Sequence, residues 1–158
     1  MLSQTFVMHH LYDNPPAAVA FADGMEVSRD SLALAAWDFD EFYEEIFMKL
    51  AEFGELEELI VLDNINDHMI GNVYAKFFNE DDAEKAIRAL NGKYYAGRLI
   101  FCEYSPVTDF REAWCRLYAD SSCDRGGYCN FMHTKHINRR LKAELNERMY
   151  KLYPEYEK

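Results

Sequence analysis

The chain has 158 residues, 49% of them hydrophobic, and a formal net charge of −11. That length suits one ordinary domain plus a small appendage, with enough apolar material for a core. No apolar run approaches the ~20 residues of a membrane-crossing helix, and no signal peptide precedes the cysteines, so neither a membrane partner nor an oxidising compartment is expected. The charge is unevenly spread. Residues 1–107 carry 7 Lys+Arg against 20 Asp+Glu, a net −13, whereas residues 108–158 carry 10 against 8, a net +2. Phosphate attraction acts only within about 8–10 Å at physiological salt, so a nucleic acid would be held by the back of the chain, not the front.

In chain order, residues 5–11 (TFVMHHL) read as a strand, ended by Asn14-Pro15-Pro16. Residues 16–30 read as loop, with Asp23-Gly24 as a turn. Phe39, Phe42, Tyr43, Ile46, Phe47 and Leu50 then recur at helical spacing and predict an amphipathic helix with Gly54 just beyond its end. Residues 56–62 predict a second strand, Asn64 to His68 a turn, and 71–78 a third strand. Asn79 is placed to cap a second helix, whose first turn is acidic and whose buried stripe is Ala83, Ala86, Ile87 and Leu90. Lys93-Tyr94-Tyr95-Ala96-Gly97 reads as a turn into a last strand over 98–104. Farther on, Ile137, Leu141, Leu145, Met149 and Leu152 repeat near every four residues and predict a C-terminal helix stopped by Pro154. The fold class is α+β: two split βαβ units forming a four-stranded antiparallel sheet with both helices on one face. Three segments are expected, 1–107, 108–136 and 137–153.

Between the last strand and that final helix lies Cys115-x7-Cys123-x5-Cys129-x3-His133, with no helical or strand periodicity. Three thiols and an imidazole supply a closed tetrahedral set for one structural Zn2+, with His136 as an alternative fourth ligand. Disulfides or unrelated surface thiols are the competing explanations. This is the CCCH spacing of fingers that bind single-stranded RNA, and Arg116, Tyr118, Arg125, Tyr128 and Phe131 are its candidate stacking and edge-reading groups.

The order βαββαβ with Gly71-Asn72-Val73-Tyr74-Ala75-Lys76-Phe77 resembles an RNA recognition motif (RRM). Ile70 stands where that family has a basic residue, Asn72 where it has its first stacking aromatic, and Val7 where the first strand has another. Only Tyr74 remains. Each lost platform removes about 1–3 kcal/mol per base, so the sheet face is not expected to bind RNA, and Tyr74 is expected to pack under the C-terminal helix. On the first helix, Asp40, Glu41, Glu44 and Glu45 pair carboxylates at i,i+4 opposite the core stripe. Such repulsion costs a few tenths of a kcal/mol unless a basic partner relieves it. A solvated face is the alternative explanation.

Ser105-Pro106-Val107-Thr108-Asp109-Phe110-Arg111-Glu112-Ala113, followed by the finger with Arg125-Gly126-Gly127-Tyr128-Cys129-Asn130-Phe131-Met132-His133, resembles the small subunits of the U2 snRNP auxiliary factor. The similarity extends to Ser3-Gln4-Thr5, the acidic helix and Asp67 to Lys76. The resemblance implies a nuclear pre-mRNA splicing factor whose RRM-like βαββαβ sandwich is a U2AF homology motif, followed by a CCCH finger and a helix. It implies that the motif captures a tryptophan-containing basic peptide of the large subunit, held between the acidic helix (Glu41, Glu44, Glu45) and the loop Lys93-Tyr94-Tyr95. It also implies contact between the finger and the AG of the 3′ splice site. The family carries another CCCH finger ahead of the segment matching Ser3-Gln4-Thr5, which this sequence does not contain. Leu117 stands where a polar residue is usual. The rival expectation is an interaction module whose finger is only a brace. No nucleophile–base constellation or phosphate-cradling loop points to an enzyme.

Overall fold

The computed structural model describes residues 3–107, 109–119 and 123–157. Four strands, β1 (Thr5–Met8), β2 (Leu56–Val61), β3 (Val73–Phe77) and one over Cys102–Tyr104, form an antiparallel sheet in which β3 and then β1 are central. The period-two pattern sends Phe6, Met8, Val73, Ala75 and Phe77 into one core, each no more than 1% exposed. Two helices close that core. The longer, Arg29–Ala51, buries Phe39, Phe42, Tyr43, Ile46, Phe47 and Leu50, as their spacing predicts. The Tyr43 hydroxyl donates to the Leu59 carbonyl at 2.9 Å and ties this helix to β2. The shorter, Glu80–Leu90, has the Asn79 side chain accepting from the Asp81 amide, and three acidic residues in its first turn.

Several boundaries differ from those expected. Residues 16–30 are not all loop. Pro16–Ala22 (PAAVAFA) forms a helix, α1, because a proline at the first helical position lacks only an N–H that would be unpaired anyway, and alanines carry the rest. The long helix is therefore α2 and starts at Arg29, capped by Ser28, and Glu80–Leu90 is α3. The strand expected over 5–11 stops at Met8, since His10 adopts φ 53. The strand expected over 98–104 is broken. Tyr94–Tyr95 (β4) and Arg98–Leu99 (β5) pair as a separate hairpin around Ala96 (φ 49) and Gly97 (φ 80), and Cys102–Tyr104 is β6 at the sheet edge.

The last helix, α5 (Arg139–Leu152), is preceded in the chain by one turn, α4 (Arg116–Ala119). Asn138 caps α5, and Leu145 and Met149 are fully buried in the main core against α2. Leu152, counted in its apolar stripe, is 58% exposed. Since α5 lies on the helical layer, it does not cover Tyr74. Tyr74 instead meets Phe110 edge-on, with ring centroids 5.9 Å apart, beside a second cluster of Ile60, Leu62, Met69 and Met132. The segment after β6 thus closes the sheet face on which RRMs stack bases. Asn72 is also structural: its carboxamide accepts from the His10 amide and donates to the His68 carbonyl. Among the described residues, no helix is long and apolar enough to cross a membrane.

Gly71 turns the chain into β3 at φ +74, and a Cβ there would lie 2.4 Å from the Tyr12 carbonyl oxygen. Gly71→Ala is expected to cost on the order of 2 kcal/mol, read as a lower denaturant midpoint with unchanged slope.

Candidate functional site

The four metal-ligand candidates converge. Cys115, Cys123, Cys129 and His133 bring their donor atoms within 4.8 Å of one another. The Cys115 and Cys129 sulfurs are 3.8 Å apart, the edge of a tetrahedron whose metal–sulfur bonds are about 2.3 Å. His133 is 1% exposed, and its Nε2 makes no hydrogen bond, which suits a nitrogen that would ligate a metal. Burial pushes the His133 imidazole below its ordinary pKa, against the raising influence of Asp63, which favours the neutral ligand form. His136 does not join the cluster. Four protein donors leave no open position, so the arrangement supports structure rather than hydrolysis.

What positions these residues is the turn between β2 and β3. Asn64 is fully buried, and its amide donates to the carbonyls of Cys129 (3.0 Å) and Phe131 (2.8 Å) while its oxygen accepts from the His133 amide (2.8 Å). Asn66 donates to the same Cys129 carbonyl, and the Ile65 amide to the Gly127 carbonyl. The Asp63 amide donates to the His133 carbonyl and the Lys135 amide to that of Val61, so residues 133–135 extend from the end of β2. A Cβ on Gly127 would strike Ile65, and one on Gly126 the Ala22 carbonyl, so the glycine pair seats against this turn and the end of α1. The sequence marks 64–68 only as a turn. Its asparagines carry no local signal of reaching a segment 63 to 69 residues away.

The five RNA candidates occupy different situations. Tyr118 stacks on His133 with centroids 4.0 Å apart and donates its hydroxyl to Asp63, which Lys135 also grips. One of its ring faces is therefore taken by the metal ligand. Arg125 lies beside the cysteines; Cys129 and a hydrogen bond to Cys123 raise its pKa. Arg116 is exposed, and Tyr128 and Phe131 are 57% and 53% exposed. Trp114, which belongs to no motif in the sequence, is 39% exposed at the same end.

The six peptide-dock candidates also come together. Glu41, Glu44, Glu45, Lys93, Tyr94 and Tyr95 all line one groove of about 1120 Å³ between α2 and the β4–β5 hairpin, with α5 along its other side. The Tyr95 ring meets Phe42 edge-on, and burial followed by the neighbouring Glu45 pushes its phenol up to about 12. Arg148 of α5 reaches Glu44 at 3.6 Å. Trp37 lines the groove as well, with no pattern in the sequence to mark it.

The RNA recognition motif family matches residues 42–100. "Splicing factor U2af 38 kDa subunit" of Drosophila melanogaster is 47% identical over 148 residues, covering 92% of this chain and 56% of that protein. "Splicing factor U2AF 26 kDa subunit" of Rattus norvegicus is 46% identical over 144 residues, covering 90% of this chain and 65% of that protein. This chain is a homologue of the U2AF small subunits. It spans between about half and two thirds of the length of these curated relatives. A solved structure, that of the RNA15 RRM, matches at 15% identity with a TM-score of 0.39, over 66% of this chain and 92% of that one. The chain carries an RRM fold followed by a Cys3His cluster.

Two outcomes are expected here. Asn64→Ala removes three hydrogen bonds and strands the Phe131 carbonyl and the His133 amide, while the Cys129 carbonyl keeps its Asn66 donor, lowering stability by on the order of 3 kcal/mol in a denaturant titration. A metal assay should find one ion per chain, and a strong chelator should abolish hydrogen-exchange protection across 115–133 while β1 and β3 stay protected.

Proposed function

We propose that this chain is a non-catalytic subunit of a nuclear pre-mRNA splicing factor. Its groove holds a tryptophan-containing basic peptide of a large subunit, and its finger, folded on one structural Zn2+, contacts the AG of a 3′ splice site. The observation that carries the reading is the groove. All six residues expected to meet such a peptide line a single cavity, with carboxylates on one wall and tyrosines on the other. A basic peptide matches the excess of six carboxylates over Lys49, Lys93, Arg140 and Arg148 in the lining, and half-buried Tyr95 with Ile46 offers an indole an apolar seat.

For RNA, the support lies in Tyr128, Phe131, Arg125 and Arg116, four groups exposed to solvent on the finger. The sheet face is filled by Phe110, which leaves base stacking to the finger. A second reading makes the finger only a brace. It is favoured by Asn64, whose clamp gives the finger a purpose inside the fold, and by the engagement of Tyr118 with His133.

Titration with short RNAs ending in AG or CG, with and without a tryptophan-containing basic peptide, separates the two. AG preference that weakens in Phe131→Ala by about 1–3 kcal/mol supports readout, and equal binding of both RNAs selects the brace. Independently, Glu45→Lys should weaken the peptide by on the order of tenfold at low salt, with the effect shrinking as salt rises. Unchanged peptide affinity would reject the groove.

A further inference from the structure

Trp37 is a tryptophan left 61% exposed on a helix that buries its other aromatics. It faces away from the core stripe and lines the groove. With Glu41, Glu44 and Glu45 it recurs at i, i+4, i+7 and i+8, a stripe about 12 Å long on the outer side of α2. Asp40 and Glu41, both lining the groove, lie within one turn of the indole. An aromatic face is negative at its centre, and two carboxylates beside it deepen that potential. Anions are therefore repelled, and an apolar side chain there would cover charges that need solvation.

A cation suits both features, and its shape decides which cation. A guanidinium is planar, stacks on indole and donates a rigid fork to carboxylates, whereas an ammonium is a compact, strongly hydrated point charge. Arg148 already brings a guanidinium to a carboxylate in the groove, 3.6 Å from Glu44 and two turns farther along the helix. That pair lies at Glu44, seven residues and about 10 Å along the helix from Trp37.

We infer that Trp37, with Asp40 and Glu41, forms a subsite for one arginine side chain of the peptide in the groove, and that it makes the groove select arginine over lysine. This rests on the peptide-binding reading above. It adds a residue that sets specificity about two helical turns along α2 from Glu45.

The test uses the full chain and two labelled twelve-residue peptides. Each has one tryptophan, and its four cationic positions are all arginine in one and all lysine in the other. Anisotropy titrations of the unmodified protein should give the arginine peptide an advantage of about fivefold. Trp37→Leu should bring that ratio close to one while leaving the lysine peptide within about twofold of its original affinity, and Trp37→Tyr should retain part of the preference. Because Trp37 is exposed, both variants should keep the parent's thermal melt, which circular dichroism checks. A ratio that survives Trp37→Leu, or equal losses for both peptides, overturns the arginine subsite and leaves the groove standing. Failure of the unmodified chain to bind either peptide overturns the groove and the subsite together.

Discussion

Asn64 is one small amide with no exposure to water, and it directs all three of its hydrogen bonds in this structure to the backbone around the metal ligands. A buried amide is costly unless paired, and here the paired partners come from a segment with little regular structure of its own. The two needs satisfy each other. The ligand loops gain a fixed seat, and the β2–β3 turn gains a lid. The short pairing of residues 133–135 with the end of β2, the glycines against α1 and the stacking of Tyr118 on His133 all follow from that seating. The Cys115 and Cys129 sulfurs, 3.8 Å apart on this seat, are at the spacing of a tetrahedral site.

Much of this is readable from residue spacing, for definite reasons. The stripe from Phe39 to Leu50 and the alternation across Val73–Phe77 are local periodicities, and each element buries the face its period marks. The cysteine–histidine string is readable because coordination chemistry restricts both residue type and loop length. What escapes depends on contacts distant in sequence or on competing local rules. The proline pair reads as a breaker, although Pro16 opens a helix. Tyr74 and the C-terminal helix are both apolar and so look like partners. Which layer α5 joins is decided by Leu145 and Met149 meeting α2, which no single-chain pattern reveals. Asn64 and Asn66 look like ordinary turn formers, and turns do favour asparagine.

Charge is partitioned along with architecture. Of the 20 carboxylates in residues 1–107, nine lie on α2 and in the first turn of α3, and the groove draws on the α2 set. Arg116 and Arg125 belong to the finger, which is seated on the β2–β3 turn rather than on α2. The acidic groove and the cationic residues of the finger thus belong to different structural layers, and charge acts only over about 8–10 Å at physiological salt.

The seating of Phe110 over Tyr74 also changes what counts as a self-sufficient piece of this chain. Ile60, Leu62 and Met69, each no more than 9% exposed, owe their cover to Phe110 and Met132. Cutting the polypeptide after residue 107 would spare every strand and both core helices of the RRM fold. It would also bare a contiguous oily face beside an open sheet surface, and such a fragment would tend to self-associate. Solubility, on this account, is a property of the RRM and its lid jointly.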